Sequence, residues 1–161
     1  MSEPGRSAES IAVFGNRVDE IGAAAQLVQD FGARQGLTAA VIHDLCVAFD
    51  EALSNVVKYG YRDDARHEIS VRLRIAGPHV VAEVEDDGIP FDPLSAPAPR
   101  LEGGIDERPI GGLGIYLLRQ LMDEVHYVRR GGLNVLVMKK RISGDVPVSG
   151  EQHGNDSRKA R

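Results

Sequence analysis

Cysteine is nearly absent from the sequence. Cys46 is the only one in 161 residues, which excludes an intrachain disulfide and a zinc site built from several thiolates. Long apolar runs are missing as well, since none approaches the ~18 residues that a membrane-spanning helix needs. The opening MSEPGRSAES carries acids and no apolar stretch, so it does not read as a secretory signal. A cytoplasmic protein without membrane partners is expected. Basic residues are neither in excess nor clustered: 19 Lys and Arg stand against 24 Asp and Glu, a net charge of −5. Neutralising nucleic-acid phosphates requires clustered cations, so a nucleic-acid partner is not expected. The histidines, at 43, 67, 79, 126 and 153, have no metal-ligand spacing, and no Ser/His/Asp order stands out.

What is present is an ordinary globular composition, 42% hydrophobic and 27% charged, at the length of one domain. The ordered region is expected over 10–142. The tails 1–9 and 143–161, rich in Ser, Gly, Pro and charge, cannot bury apolar surface and are expected to be disordered. No internal repeat appears. SIAVFG (10–15) reads as a short strand. Val18, Ile21, Ala25, Val28 and Phe31 fall near helical spacing, predicting a helix over 18–35 that Gly36 ends. Thr38 suits an N-cap for a longer helix through Tyr59, whose apolar positions 41, 42, 45, 49, 53, 56 and 57 follow the 3.6-residue period. Cys46 belongs to that apolar set. Two alternating runs, 68–75 and 80–86, with Gly77-Pro78 between them, read as an antiparallel hairpin. Residues 88–112 hold five of the eight prolines and no periodicity, the composition of a functional lid. A third helix is predicted from Gly112 to Met122, then strands over 125–129 and 134–141 that turn through Gly131-Gly132. This order predicts an α+β fold, a two-layer α/β sandwich with three helices on one face of a mixed, mostly antiparallel sheet.

Three places could carry chemistry. Glu51 and Asn55, four residues apart on the second helix, share one face one turn apart. Taken alone, such a pair is an ordinary solvated face, although the neighbouring Leu53, Val56 and Val57 set it at the rim of a core. The strand VAEVED delivers Asp86 and then Gly88 where the sheet gives way to the lid. A carboxylate there can accept from an exocyclic amine, while Asp-Asp-Gly is also common turn chemistry. In PIGGLGIYLL, Gly111, Gly112 and Gly114 leave backbone N–H groups open at a helix start, an arrangement suited to phosphates. No Gly-Lys-Ser/Thr follows, so this is no Walker loop.

The four features come in a fixed order: E-x-x-x-N on a helix, D-x-G after a strand, a long lid, and G-x-G opening a helix. Independent accidents at all four are improbable. In this order the sequence resembles the Bergerat ATP-binding fold shared by DNA gyrase, the heat-shock chaperones and sensor histidine kinases. FDEALSNVVKYGY is similar to its N box, VEDDGIPF to its first glycine box and GGLGIYLLRQLMDEV to its second. The short anti-sigma-factor serine kinases, the RsbW-like proteins, consist of this domain alone, and the N box ending Lys58-Tyr59-Gly60-Tyr61 is similar to theirs. The resemblance covers roughly 10–142, and there is no added helix pair bearing a phospho-acceptor histidine.

The resemblance implies ATP and Mg²⁺ as ligands. It implies that Asn55 ligates Mg²⁺, Asp86 recognises the adenine amine, Gly88 admits the base, and Gly112 and Gly114 hold phosphates. Glu51 would be the general base for a partner's hydroxyl. Lys58 and Arg108 could reach phosphates, set against the ordinary reading of each as a solvated charge. Two departures stand out: Pro90 replaces a glycine and should stiffen the start of the lid, and Asn134 stands where many relatives have Thr, which puts its contact with the base in doubt. Two functions of different class follow. One is a serine/threonine kinase that phosphorylates an anti-sigma-factor antagonist of STAS type. The other is a non-catalytic ATP-binding module that sequesters a sigma factor or another signalling partner. The first helix and the strand before it could also supply a homodimer interface.

Overall fold

The computed structural model describes residues 8–95 and 112–142. The tails expected at 1–9 and 143–161 lie outside these bounds except for Ala8 and Glu9. So does most of the expected lid, from 96 to 111.

Five strands and four helices make two layers. β1 (Glu9–Gly15) is followed by α1 (Val18–Ile21), α2 (Ala23–Gln35) and α3 (Ala39–Tyr59). β2 (Glu68–Ala76) and β3 (His79–Asp86) form a hairpin, and a 3₁₀ turn at Pro93–Ser95 begins the segment after β3. α4 (Gly112–Leu121), β4 (Glu124–Arg130) and β5 (Leu133–Arg141) complete the fold. The single helix expected over 18–35 is interrupted at Gly22. Its first turn is drawn back onto the sheet by Glu20, whose Oε2 accepts the Gly15 N–H at 2.6 Å.

The sheet order is β1-β2-β3-β5-β4, and every pairing is antiparallel. β4 runs in the same direction as β3, but β5 lies between them, so no parallel pair forms. α3 is set as the sequence predicts. Thr38 Oγ1 accepts the Val41 N–H at 3.3 Å, capping the helix start. Its buried residues Val41, Leu45, Ala48, Phe49, Ala52 and Leu53 form one stripe. That stripe packs with Val28 and Phe31 of α2 onto Ile69, Val71 and Leu73 of β2. Cys46 is half-buried beside this core, and burial pushes its thiol pKa up. Lys140 of β5 ties the helix layer to the sheet: its Nζ lies 2.9 Å from Asp44 of α3 and donates to the Leu121 carbonyl at the end of α4.

Register places the residues that matter. One row runs across all five strands as Phe14, Ile69, Asp86, Asn134 and Arg129. It is apolar under the helices on β1 and β2, then turns polar on β3, β5 and β4. The β4–β5 turn fixes the last step of the row, because Gly131 and Gly132 both take positive φ (59° and 79°), the two-residue turn that suits hairpin twist.

Leu45 is fully buried and far along α3 from Asn55. Leu45→Ala should lower unfolding stability by about 2–5 kcal/mol in urea titration, with the dependence on denaturant unchanged.

Candidate functional site

Where the row turns polar, α3, the end of β3 and the first turn of α4 line a pocket. Val84, Leu136, Ile115 and Phe91 give it apolar walls, and Asn55, Asp86 and Asn134 are its amide and carboxylate groups. A slot of this kind, mostly apolar with a few converging polar groups, suits a flat heterocycle.

Asp86 sits at the last position of β3 and is 6% exposed. Both the Gly88 N–H and Asn134 Nδ2 donate to its Oδ1, each at 2.9 Å. Oδ2 receives no hydrogen bond among the described residues. The carboxylate therefore keeps one oxygen for a donor in the pocket. Burial is the main influence on its pKa and raises it, against the lowering effect of the two bonds to Oδ1.

Gly88 allows two chain segments to meet. The Gly60 carbonyl at the end of α3 accepts the Ile89 N–H at 2.8 Å. A β-carbon on Gly88 would lie 2.5 Å from that same carbonyl oxygen. The Gly60 backbone and the Asp86 carboxylate leave no room for a side chain, so the D-x-G turn needs glycine for packing as well as for ligand access.

Glu51 and Asn55 stand one turn apart on α3, as their spacing predicts. Asn55 lines the pocket and Glu51 faces the start of α4: a β-carbon on Gly114 would collide with the Glu51 carboxylate. The E-x-x-x-N face and the G-x-G helix start are thus brought together. Asn55 Nδ2 is buried and has no hydrogen-bond partner among the described residues. An amide left in this way costs about 1–3 kcal/mol until a ligand satisfies it. Turning the amide about its last torsion presents Oδ1 at the same place. One amide oxygen suits Mg²⁺, which takes few protein ligands and fills its octahedron with phosphate oxygens and water. Among the described residues no group of three or more His, Cys, Asp or Glu side chains could hold a metal alone.

The remaining sequence expectations separate. Gly112 opens α4 as expected. Lys58 is exposed in the last turn of α3 and does not line the pocket. Arg108 and Gly111 lie outside the described residues. Asn134 is inside the site and 6% exposed, but its amide is engaged with the protein on both sides. Sequence reading missed His67. Its ring lies 2.8 Å from Asp63 and 3.2 Å from Asp87, and stacks on Tyr61 with centroids 4.1 Å apart. The bond to Asp63 is the main reason its pKa is raised. This brace fastens the α3–β2 loop beside Asp86, and the only sequence signal for it was an Asp four residues before a histidine, outside any helix.

With this geometry in place, comparison with known proteins decides the kinship. Residues 14–140 match the family model for the histidine kinase-like ATPase domain. The chain belongs to that family. Its relatives include the serine-protein kinase RsbW of Bacillus subtilis, 34% identical over 119 residues, which cover 70% of this chain and 72% of RsbW. The serine/threonine-protein kinase BtrW of Bordetella bronchiseptica is 30% identical over 111 residues, 69% of this chain and 78% of BtrW. At this level of identity and coverage, the chain is an RsbW-like member of the family. The fold recurs in the crystal structure of the RsbU and RsbW domains of Rv1364c from Mycobacterium tuberculosis, with a TM-score of 0.61 and 18% identity. That match covers 83% of this chain and 32% of the longer one. No helix among the described residues is long and apolar enough to cross a membrane.

The electrostatics of Asp86 give a test of this geometry. Its folded pKa is raised, so its ionised form opposes folding above the unfolded value of about 3.9, and the penalty is relieved as pH falls through the folded pKa. An asparagine keeps the shape and can still accept from Gly88 and Asn134. At pH 7, Asp86→Asn should therefore melt no lower than the parent, and any advantage should shrink as the pH is lowered toward 4. Thermal unfolding across that range is the measurement. A large loss of stability at pH 7 would contradict this account of the carboxylate.

Proposed function

We propose that this chain is an ATP–Mg²⁺-dependent anti-sigma serine/threonine kinase that phosphorylates a hydroxyl on an anti-sigma-factor antagonist of STAS type. One observation carries the reading: the pocket joins an apolar slot holding a buried carboxylate to a helix bearing an unsatisfied amide beside a glycine-opened helix start. The kinship to RsbW and BtrW, both named as protein kinases, supports the reaction class.

Each residue has a job that its placement supports. Asp86 Oδ2 accepts from the exocyclic amine of adenine, and the apolar walls hold the ring and exclude water. The open N–H groups of Gly112 and Gly114, with the positive end of α4, favour the phosphates. Asn55 is the protein's ligand for Mg²⁺, which when bound offsets phosphate charge. Glu51, one turn away and against the α4 start, takes the proton from the attacking hydroxyl. Phosphoryl transfer needs little covalent help from the protein, so positioning and charge neutralisation suffice. A sigma factor is a second candidate partner, the one that the binding-module reading would have the chain sequester.

Substitutions on α3 separate a kinase from a module that only binds. Asn55→Ala should weaken ATP–Mg²⁺ binding and phosphate transfer together. Glu51→Gln keeps the side-chain shape against Gly114; it should leave nucleotide binding nearly intact and slow transfer by roughly 10²–10⁴-fold, the usual worth of a general base. The measurement is transfer of labelled γ-phosphate to a STAS-domain antagonist, beside nucleotide titration. If the parent transfers no phosphate to any antagonist yet grips a sigma factor when ATP is present, the kinase reading is wrong and the binding-module reading replaces it.

A further inference from the structure

The Asn134 side chain is the most densely bonded group in the site. Its Nδ2 donates to Asp86 Oδ1 at 2.9 Å, to the Ile89 carbonyl at 2.9 Å and to the Gly88 carbonyl at 3.4 Å. Its Oδ1 accepts from the Tyr127 hydroxyl at 2.6 Å, from Arg129 Nη1 at 2.9 Å and from the Phe91 N–H at 3.4 Å. Nothing on this amide is left over for a ligand. Its influence on the pocket has to pass through Asp86 and through the turn at Gly88 and Ile89.

An amide can be turned end for end, and the two ends are not equivalent here. A turned Asn134 would point its oxygen at Asp86 Oδ1, setting two acceptors 2.9 Å apart and pushing the carboxylate out of place. Arg129 forbids that orientation, because a guanidinium has donors and no acceptor, so only Oδ1 can face it. The same Nη1 also donates to the Gly88 carbonyl at 3.0 Å, bracing the turn that follows Asp86. Tyr127 adds a second donor to Oδ1 from the neighbouring position on β4. Register makes the chain of contacts continuous, since Asp86 pairs with Asn134 and Asn134 with Arg129.

We propose that Tyr127 and Arg129 are positioning residues for base selection, which by fixing the Asn134 amide saturate Asp86 Oδ1 and leave Oδ2 as the one acceptor facing the base. This rests on reading Asp86 as the adenine-recognising group. A site that offers only an acceptor takes the 6-amino group of adenine and repels the 6-oxo group of hypoxanthine. The discrimination depends on the carboxylate staying put; Tyr127 holds it from the pocket wall, and Arg129 from outside the lining.

ATP and inosine triphosphate (ITP) binding, each with Mg²⁺, tests this in the full chain and in Tyr127→Phe, Arg129→Met and the double variant. The parent should prefer ATP over ITP. Each single variant should lose part of that preference, and the double variant roughly tenfold, the worth of one charge-assisted hydrogen bond. The acid limb of ATP binding should also move to higher pH, because the Asn134 bond is one of the contacts holding the Asp86 pKa down. A merely structural role would lower the melting temperature and weaken both nucleotides alike. An unchanged ATP-to-ITP ratio in the variants, with the parent still selective, overturns the inference and leaves the Asp86 reading standing. If the parent binds ATP without preferring it to ITP, the Asp86 reading falls and takes this inference with it. Tyr127→Phe removes a single oxygen and Arg129 is solvent-exposed, so the single variants keep the test open if the double variant fails to fold.

Discussion

A carboxylate buried at the end of a central strand is the constraint around which the site is arranged. Asp86 continues the row that begins as Phe14 and Ile69, so the sheet itself carries it under the helix layer. Ionised carboxylates are costly in such places unless paired or hydrogen-bonded. Here the compensation is one-sided, with two donors on Oδ1 and none on Oδ2 among the described residues. That asymmetry turns a liability of folding into a directional acceptor at the pocket. The neighbouring structure follows from it: an amide on β5 to supply one donor, two donor side chains on β4 to orient that amide, and a glycine turn to bring the second donor back onto the carboxylate.

The same economy of space governs the helix side. α3 buries one stripe in the core and turns the face with Glu51 and Asn55 toward the pocket and α4. Gly114 lets α4 approach Glu51, and Gly88 lets the end of β3 approach the end of α3. Side chains at these contacts would separate the elements that have to converge. Among the described residues, the unsatisfied Asn55 amide and the Asp86 oxygen without a donor then mark two places where the folded chain leaves polar capacity for something other than itself.

Much of this was legible in the sequence, for identifiable reasons. α3 was readable to the residue because a cap at Thr38 and a long 3.6-residue pattern agreed. The hairpin and the β4–β5 turn were readable from alternation and from Gly131-Gly132. Asp86, Asn55, Glu51 and the glycines stood out because their motifs are local. The interruption at Gly22 was not visible, because it depends on Glu20 reaching back to Gly15. The sheet was expected to be mixed, whereas every pairing is antiparallel, because tertiary placement puts β5 between the like-directed β3 and β4. The part Asn134 plays was not legible, because its partners are 5 to 48 residues away in sequence and lie together only across strands. The His67 brace was hidden in the same way, since Asp87 reaches it from the turn after β3.

All of these features converge on one claim, that the pocket is shaped to take ATP with Mg²⁺. Calorimetric titration of ATP–Mg²⁺ into the full chain tests it most directly. The account predicts a single saturable site in the micromolar range, about −8 kcal/mol, with thermal stabilisation of about 2.7 kcal/mol at a hundredfold excess over Kd. Neither heat nor a shift in melting temperature at millimolar ATP–Mg²⁺ would contradict it.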